Sequence, residues 1–133
     1  MASLPVAHSP FHRLIGLELT RVSEDEIEMR LPWRSDFRRS EDSNWYHGGV
    51  ISALIDIAGD YAIAARLGRW VPTIDLRVDY LRPALEGSLT AVARAVKIGR
   101  IVGVADVELR DTKGVLVAVG RAAYSTTSKS ERG

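Results

Sequence analysis

The chain has 133 residues, the length of one domain. It holds no cysteine, which excludes disulfide frameworks, thiolate metal sites and thiol nucleophiles together. Its 18 Lys and Arg against 17 Asp and Glu leave a net charge of +1, so no overall field directs it to nucleic acid or to a membrane surface. No basic segment followed by an apolar stretch opens the sequence, so a secretory signal is not expected. The longest apolar-rich stretch, 48–67, carries Asp56, Asp60 and Arg66 and makes a poor membrane span. The expected compartment is the cytoplasm.

In chain order, Ser9-Pro10 opens a predicted turn of helix through Leu14. Residues 15–22 alternate, with Ile15, Leu17 and Leu19 on one side, and residues 26–31 do the same with Ile27, Met29 and Leu31. That is the period of half-buried strands, here joined through Ser23-Glu24-Asp25. Residues 34–43 are charged, poor in aliphatics and too long for a tight turn; ordered loops of this kind border sites. From 47 to 67 the spacing becomes helical through Val50, Ile51, Leu54, Ile57, Ala58 and Tyr61. Ser43 or Asn44 is the expected cap and Gly68 the expected stop. Ala53, Ile63 and Ala64 on the remaining face make this a helix apolar nearly all round, hence a buried one.

Strands follow at 73–81, 88–97, 101–110 and 115–126. Their turns are expected at 83–87, at Ile98-Gly99-Arg100 and at Asp111-Thr112-Lys113-Gly114, and short turns between successive strands predict antiparallel pairing. Ala91, Ala93 and Ala95, then Gly103 and Ala105, then Ala118, Gly120 and Ala122 put small residues on one face of three strands. Such a stripe leaves room for a bulky element to lie close, and the long helix is the element of matching length. The expected fold class is therefore α+β, a curved antiparallel sheet wrapped around one long central helix. One domain is expected over 1–133, with its core at about 10–126 and a polar tail, 127–133, that frays.

Two features carry chemistry. His47-Gly48-Gly49 starts the buried helix, where unpaired N–H groups and the positive dipole end meet glycines that allow close approach. This is either a plain glycine-rich helix start or an oxyanion hole. Asp56 lies mid-helix between Ile55 and Ile57, where a carboxylate is costly unless paired or used. It is either a structural carboxylate on a strip with Ser52 and Asp60, or a general base or nucleophile toward an acyl carbon. Eight residues separate Gly48 from Asp56, about 12 Å along a helix axis. One helix cannot bring both to one carbonyl, so if both act together they come from two chains of a two-fold dimer with antiparallel helices.

His47-Gly48-Gly49, with Asp56 nine residues after the histidine and Thr73-Ile74-Asp75-Leu76-Arg77-Val78-Asp79-Tyr80-Leu81-Arg82-Pro83 downstream, resembles the hotdog-fold acyl-CoA thioesterases, in the branch of the phenylacetate-degradation thioesterase. The resemblance covers roughly residues 10–126. It implies a hotdog fold, homodimers paired into tetramers, an acyl-CoA substrate, and hydrolysis of its thioester with no metal or other cofactor. It further implies that Asp56 is the catalytic carboxylate and that Gly48 supplies the oxyanion N–H from the opposite subunit. His47 becomes an orienting group, and Thr73 helps position the attacking water. Relatives carry an Asn six residues before the histidine; here that position is Glu41, and either Asn44 takes its place from a shorter loop or this contact is missing. Gly49 is expected beside the substrate, and Arg82, Lys97 and Arg100 at strand ends are candidates for the CoA phosphates. Trp33, Trp45, Tyr46 and Trp70 are candidates for the acyl pocket, against plain core packing.

Two other functions compete. A hotdog hydratase or dehydratase would pair a histidine with a carboxylate, drawing on His8, His12 or His47 and on Asp56. A non-catalytic acyl-CoA sensor would need a DNA-binding segment and a basic patch that the chain does not offer.

Overall fold

The computed structural model describes residues 4–127. Pro10 presets the first turn of α1 (Pro10–Ile15), and Gly16, at φ 73°, ends it in the left-handed region that glycine occupies without a Cβ clash. The strand expected from Ile15 therefore starts later. Ile15 closes α1, and β1 spans Glu18–Val22. Next come β2 (Ile27–Leu31) and the long helix α2 (Gly48–Leu67), which Gly68 stops at φ 77°. The last four strands are β3 (Thr73–Tyr80), β4 (Leu89–Ile98), β5 (Val102–Arg110) and β6 (Leu116–Ser125). Each lies within a residue or so of its expected place. The β5–β6 turn forms as expected, with Asp111 Oδ1 accepting the Lys113 and Val115 N–H groups at 2.9 Å and Gly114 at φ 80°. Of the tail expected to fray, everything past Thr127 lies outside the described residues.

All six strands form one antiparallel sheet in the order β1-β2-β4-β5-β6-β3. Neighbours in sequence are not always neighbours in the sheet: β4 pairs with β2, and β3 goes to the far margin beside β6. Expected pairing of successive strands thus fails at β3 and β4. Their connection is longer than a hairpin turn, and it is held elsewhere, by bridges from Leu85 to Trp45 and from the Ala84 carbonyl to the Tyr46 N–H.

The wrapped arrangement is present, and the small residues explain it. Ala91, Ala93, Ala105, Ala118 and Ala122 are all buried against the helix side of the sheet. A Cβ added at Gly120 would meet Ile55 Cγ2 of α2 at 2.6 Å, and one at Gly103 would meet Ile63 Cδ1 at 3.0 Å. Helix and sheet are in contact where the strands carry least bulk. Leu54, Ile55, Ala58, Tyr61 and Ile63 of α2 then complete one core with Met29, Leu31, Leu89, Val107 and Leu109 of the sheet.

The helix start differs from expectation. Neither Ser43 nor Asn44 caps it; the cap is His47, whose Nδ1 accepts the Gly49 N–H at 2.8 Å. Residues 38–46 fold back on themselves through a bridge from Arg38 to Tyr46, and the chain stays extended to His47, at φ −62° and ψ 135°. Ser43 Oγ instead accepts the Trp45 N–H, and Asn44 is exposed.

Candidate active site

Three successive turns of α2 present Ser52, Asp56 and Asp60, spaced i, i+4, i+8 and all half-buried in an otherwise apolar helix. Each is tied toward β3 or the segment leading into it. Tyr80 donates its hydroxyl to the Gly48 carbonyl at 2.8 Å and lies 2.5 Å from Ser52 Oγ. Since the one Tyr80 proton goes to Gly48, Ser52 is the donor in the second contact. Thr73 donates to Asp56 Oδ1 at 2.7 Å. The Val71 N–H donates to Asp60 Oδ1 at 3.2 Å. Opposite ends of one strand therefore hold opposite ends of the polar strip, Tyr80 at the helix start and Thr73 at Asp56.

Asp56 is also held from behind. Tyr124 of β6 donates to its backbone carbonyl at 2.7 Å, a contact possible because residue 59 is glycine: a Cβ there would stand 2.5 Å from the Tyr124 hydroxyl oxygen. Burial, with Asp56 and Asp60 close by, pushes the Tyr124 hydroxyl well above the usual tyrosine range, so it stays a donor. Asp60 is shifted too. Burial first, and the charge of Asp56 after it, raise its carboxyl to about 7, while the Val71 N–H pulls the other way.

At the helix start the amides divide their work. A Cβ at Gly49 would lie 3.0 Å from His47 Nδ1, so glycine there lets the imidazole fold over and take the Gly49 N–H. That bond makes Nδ1 the acceptor and leaves the ring proton on Nε2. Gly49 thus has its amide occupied, and the donor available at the helix N-terminus is Gly48 N–H, one of the four that a helix start leaves without an intrahelical acceptor. His47 itself is anchored by its N–H to the Phe37 carbonyl at 2.7 Å. In front of Gly48 opens a cavity of about 510 Å³, walled by Trp45, Tyr46, Ile51 and Tyr80, with Arg39 and Arg82 among its lining.

These are parts that acyl transfer uses, though one protomer holds them at a distance from each other: a carboxylate with one oxygen held by Thr73, and a helix-terminal amide fronting a cavity. The sequence matches the thioesterase superfamily over residues 45–118, which takes in His47, Gly48, Asp56 and Thr73. The chain belongs to the thioesterase superfamily. The medium/long-chain acyl-CoA thioesterase YigI of Escherichia coli is 31% identical to it, over 90% of this chain and 86% of that protein. A solved structure of a thioesterase-superfamily protein is 38% identical, with a TM-score of 0.87 over 90% of this chain and 91% of the other. The E. coli PaaI protein, from the phenylacetic acid degradation operon, shares the fold at 24% identity, TM-score 0.76 and 85% coverage of each chain. Membership in the thioesterase superfamily bears out the expected family and the hotdog architecture, and it supports thioester hydrolysis over the hydratase reading.

Within this thioesterase fold, the residues singled out from sequence separate into groups. Asp56 and Thr73 are brought into direct contact, and Gly48 stands on the same helix as Asp56 at the other end of the strip. Arg82 lines the cavity, whereas Lys97 and Arg100 are exposed around the β4–β5 turn, at the Thr73 end of the sheet. Asn44 is exposed in the loop and is not among the residues lining the cavity. Of the four aromatic candidates, Trp45 and Tyr46 line the cavity, but Trp33 packs edge-on against Tyr46 at 4.8 Å. Trp70 stacks on His8 at 4.8 Å and meets Tyr61 and His12. His12 is buried there, with Nδ1 donating to the Val6 carbonyl and its pKa lowered by burial. Sequence reasoning missed Tyr80, Tyr124 and Arg39. Arg39 is stacked over Trp45 at 5.0 Å, and no spacing rule connects those residues to the site.

Proposed function

We propose that this chain hydrolyses acyl-CoA thioesters to a free acid and CoA, in a homodimer with two equal sites, each shared between protomers. The observation that carries this reading is the placement of Thr73 and Tyr80 at opposite ends of β3, which lies at the sheet margin with one edge unpaired. Two copies of β3 joined antiparallel about a two-fold axis near the strand's middle put the Thr73 end of one against the Tyr80 end of the other. Asp56 travels with Thr73 and Gly48 with Tyr80, so Asp56 of one protomer comes to the partner's Gly48. The separation of about 12 Å along one helix becomes irrelevant, because the two groups no longer have to come from the same helix.

Asp56 then acts on the thioester carbonyl carbon, as base toward water or directly as nucleophile, with Thr73 fixing one carboxylate oxygen and leaving the other free. The developing oxyanion is met by the partner's Gly48 N–H at the positive end of its helix. Collapse expels the CoA thiolate, a good leaving group; where Asp56 is the base it passes water's proton on to the thiolate, and where it is the nucleophile a water then cleaves the acyl–Asp56 anhydride, regenerates the carboxylate and supplies that proton. His47 supports this indirectly by occupying the Gly49 amide and fixing the first turn. Two-fold pairing also gathers Arg39 and Arg82 of one protomer toward the Lys97 and Arg100 end of the other, a cationic rim suited to CoA phosphates. Acyl-CoA is an intracellular substrate, in keeping with a cytoplasmic enzyme. Pairing of dimers into tetramers is part of the same proposal.

The test is complementation. Asp56→Asn is expected to lower kcat by about 100- to 10,000-fold. Gly48→Pro removes the amide proton at a helix position that tolerates proline, and its loss of activity should be comparable. Mixed one to one after subunit exchange, the two dead variants should recover about a quarter of wild-type activity, since half the dimers carry one intact site of two. Wild-type turnover by Asp56→Asn, or no recovery in a mixture shown to exchange, overturns the shared site.

A further inference from the structure

We propose that Asp60 is a positioning residue of this site: its bond to the Val71 N–H fixes the segment entering β3, so that the Thr73 hydroxyl stays on Asp56. This inference rests on the proposed role of Asp56. Its starting point is a bulge in the sheet. The β3–β6 register shifts between the Thr73–Tyr124 and Asp75–Ala123 pairs, so Thr73 is set off from the regular ladder by one irregular step and needs anchoring from its other side. Two contacts just upstream provide it. The Pro72 carbonyl accepts the Ser125 N–H at 2.9 Å, and the Val71 N–H donates to Asp60. Pro72 has no N–H of its own, so the residue before it provides the last amide available for anchoring ahead of Thr73. Val71 is buried, which makes that amide expensive to leave unpaired.

A carboxyl is an unusual choice for this acceptor. On an apolar helix beside Asp56 it raises the electrostatic cost of the site, and an amide side chain would accept the same N–H. The groups that face it are Asp56 on its own helix, Tyr124 from β6 and the Val71 amide; Arg69, on the same connection, is engaged with the Thr126 carbonyl at 2.7 Å. Held at about 7, Asp60 exchanges its proton around neutrality. Ionisation strengthens its bond to Val71 N–H. The stronger bond holds Thr73 on Asp56 more firmly, and this favours the reaction as pH rises through 7.

Three variants test this by steady-state kinetics on acyl-CoA with thiol detection. Asp60→Ala is expected to lower kcat by about 10- to 100-fold with KM little changed, the penalty of a misplaced Asp56. Asp60→Asn keeps the acceptor and should recover most of that loss, but the rise in kcat across pH 7 expected of the wild type should be gone. A second readout does not depend on turnover. A carboxyl whose pKa is raised on folding holds a proton that the unfolded chain gives up from about pH 4, so the wild type loses stability between about 4 and 7. Asp60→Asn should match the wild-type thermal midpoint below that window and exceed it above. Wild-type kcat in Asp60→Ala, no rescue by Asn, or an Asn variant that keeps the wild-type pH profile would each overturn the proposal. Should Asp60→Ala not fold, the Asn profile alone decides. Asp56→Asn, run in parallel, separates the two claims: if it is inactive while Asp60→Ala is fully active, only the role of Asp60 falls.

Discussion

The sheet has two margins, and they are built differently. At one, β1 is five residues long and breaks register between Leu19 and Arg21. Its charges are paired across to β2 and beyond: Glu18 with Arg30 at 2.9 Å and Arg21 with Glu26 at 2.8 Å, with the Thr20 hydroxyl on Glu28 at 2.8 Å. Shortness and paired charge are how a strand is kept from recruiting another; a bulge is common to both margins, since β3 has one between Thr73 and Asp75. At the other margin, β3 runs for eight residues without proline or lysine, and its Asp75, Arg77 and Asp79 alternate with Leu76, Val78 and Tyr80. Ile74 and Tyr80 are more than half exposed, at 57% and 52%. Both margins are edges of the sheet among the described residues, and the longer, more apolar one carries Thr73 and Tyr80. An edge strand of this length and hydrophobicity is a liability in a monomer and an asset in a dimer.

The comparison is broken most severely by charging the β3 margin. Ile74→Lys changes a side chain already exposed in the protomer, so the fold should stand. A lysine on the pairing edge should weaken the dimer, and a lone protomer lacks the partner's Gly48 amide. Turnover at low enzyme concentration is therefore expected to fall about 100-fold or more, and to climb back as protein concentration restores the dimer. Sedimentation and circular dichroism report assembly and fold separately. Glu18→Lys on β1 is the control and should change neither turnover nor mass. An Ile74→Lys protein that is monomeric and fully active would end the case for β3 as the shared edge.

A smaller effect tests how β3 is seated. Beside it, Gly120 has no space for a Cβ: Ile55 Cγ2 would be 2.6 Å away and the Arg77 carbonyl oxygen of β3 itself 2.9 Å. That oxygen cannot retreat without leaving the ladder, so Gly120→Ala should destabilise the protein by about 2–3 kcal/mol. Gly103→Ala meets the flexible end of Ile63 at 3.0 Å and should cost about 1 kcal/mol. Urea midpoints give both, and the reverse order would show that β3 is not pinned through Gly120.

Much of this was legible before any coordinates. The helix over α2, its stop at Gly68 and the strands are local patterns, and local patterns are what periodicity reads. The small-residue stripe was legible as a seat for α2 because the absence of side-chain bulk on neighbouring strands is itself a local signal. The place of β3 was not. Its alternation is that of any half-buried strand, and pairing with β6 rather than β4 depends on side chains far away in sequence. The same holds for the site. Asp56 stood out as a carboxylate in an apolar helix, but its bonds to Thr73 and Tyr124 span 17 and 68 residues. The contact from Tyr80 to Gly48 spans 32. His47 as the helix cap was hidden for another reason: histidine is not among the usual caps, and its Nδ1 serves only because residue 49 is glycine.

The least effect is expected where β1 appears best supported. Glu18 and Arg30 form a well-aligned pair, yet their side chains are 51% and 44% exposed. In water at that exposure the Coulomb gain is nearly matched by the entropy of holding two long side chains together. Glu18→Ala should move stability by no more than about 0.5 kcal/mol. If β1's charges exist to deter pairing rather than to stabilise the fold, their removal should show in association instead. Glu18→Ala is expected to keep its urea midpoint while self-associating more at high protein concentration, measurable by light scattering as a growth beyond the wild-type assembly. A clear loss of stability with no change in association would mean that the ion pair holds β1 in place, and that the two margins differ in strength rather than in their readiness to take a second chain.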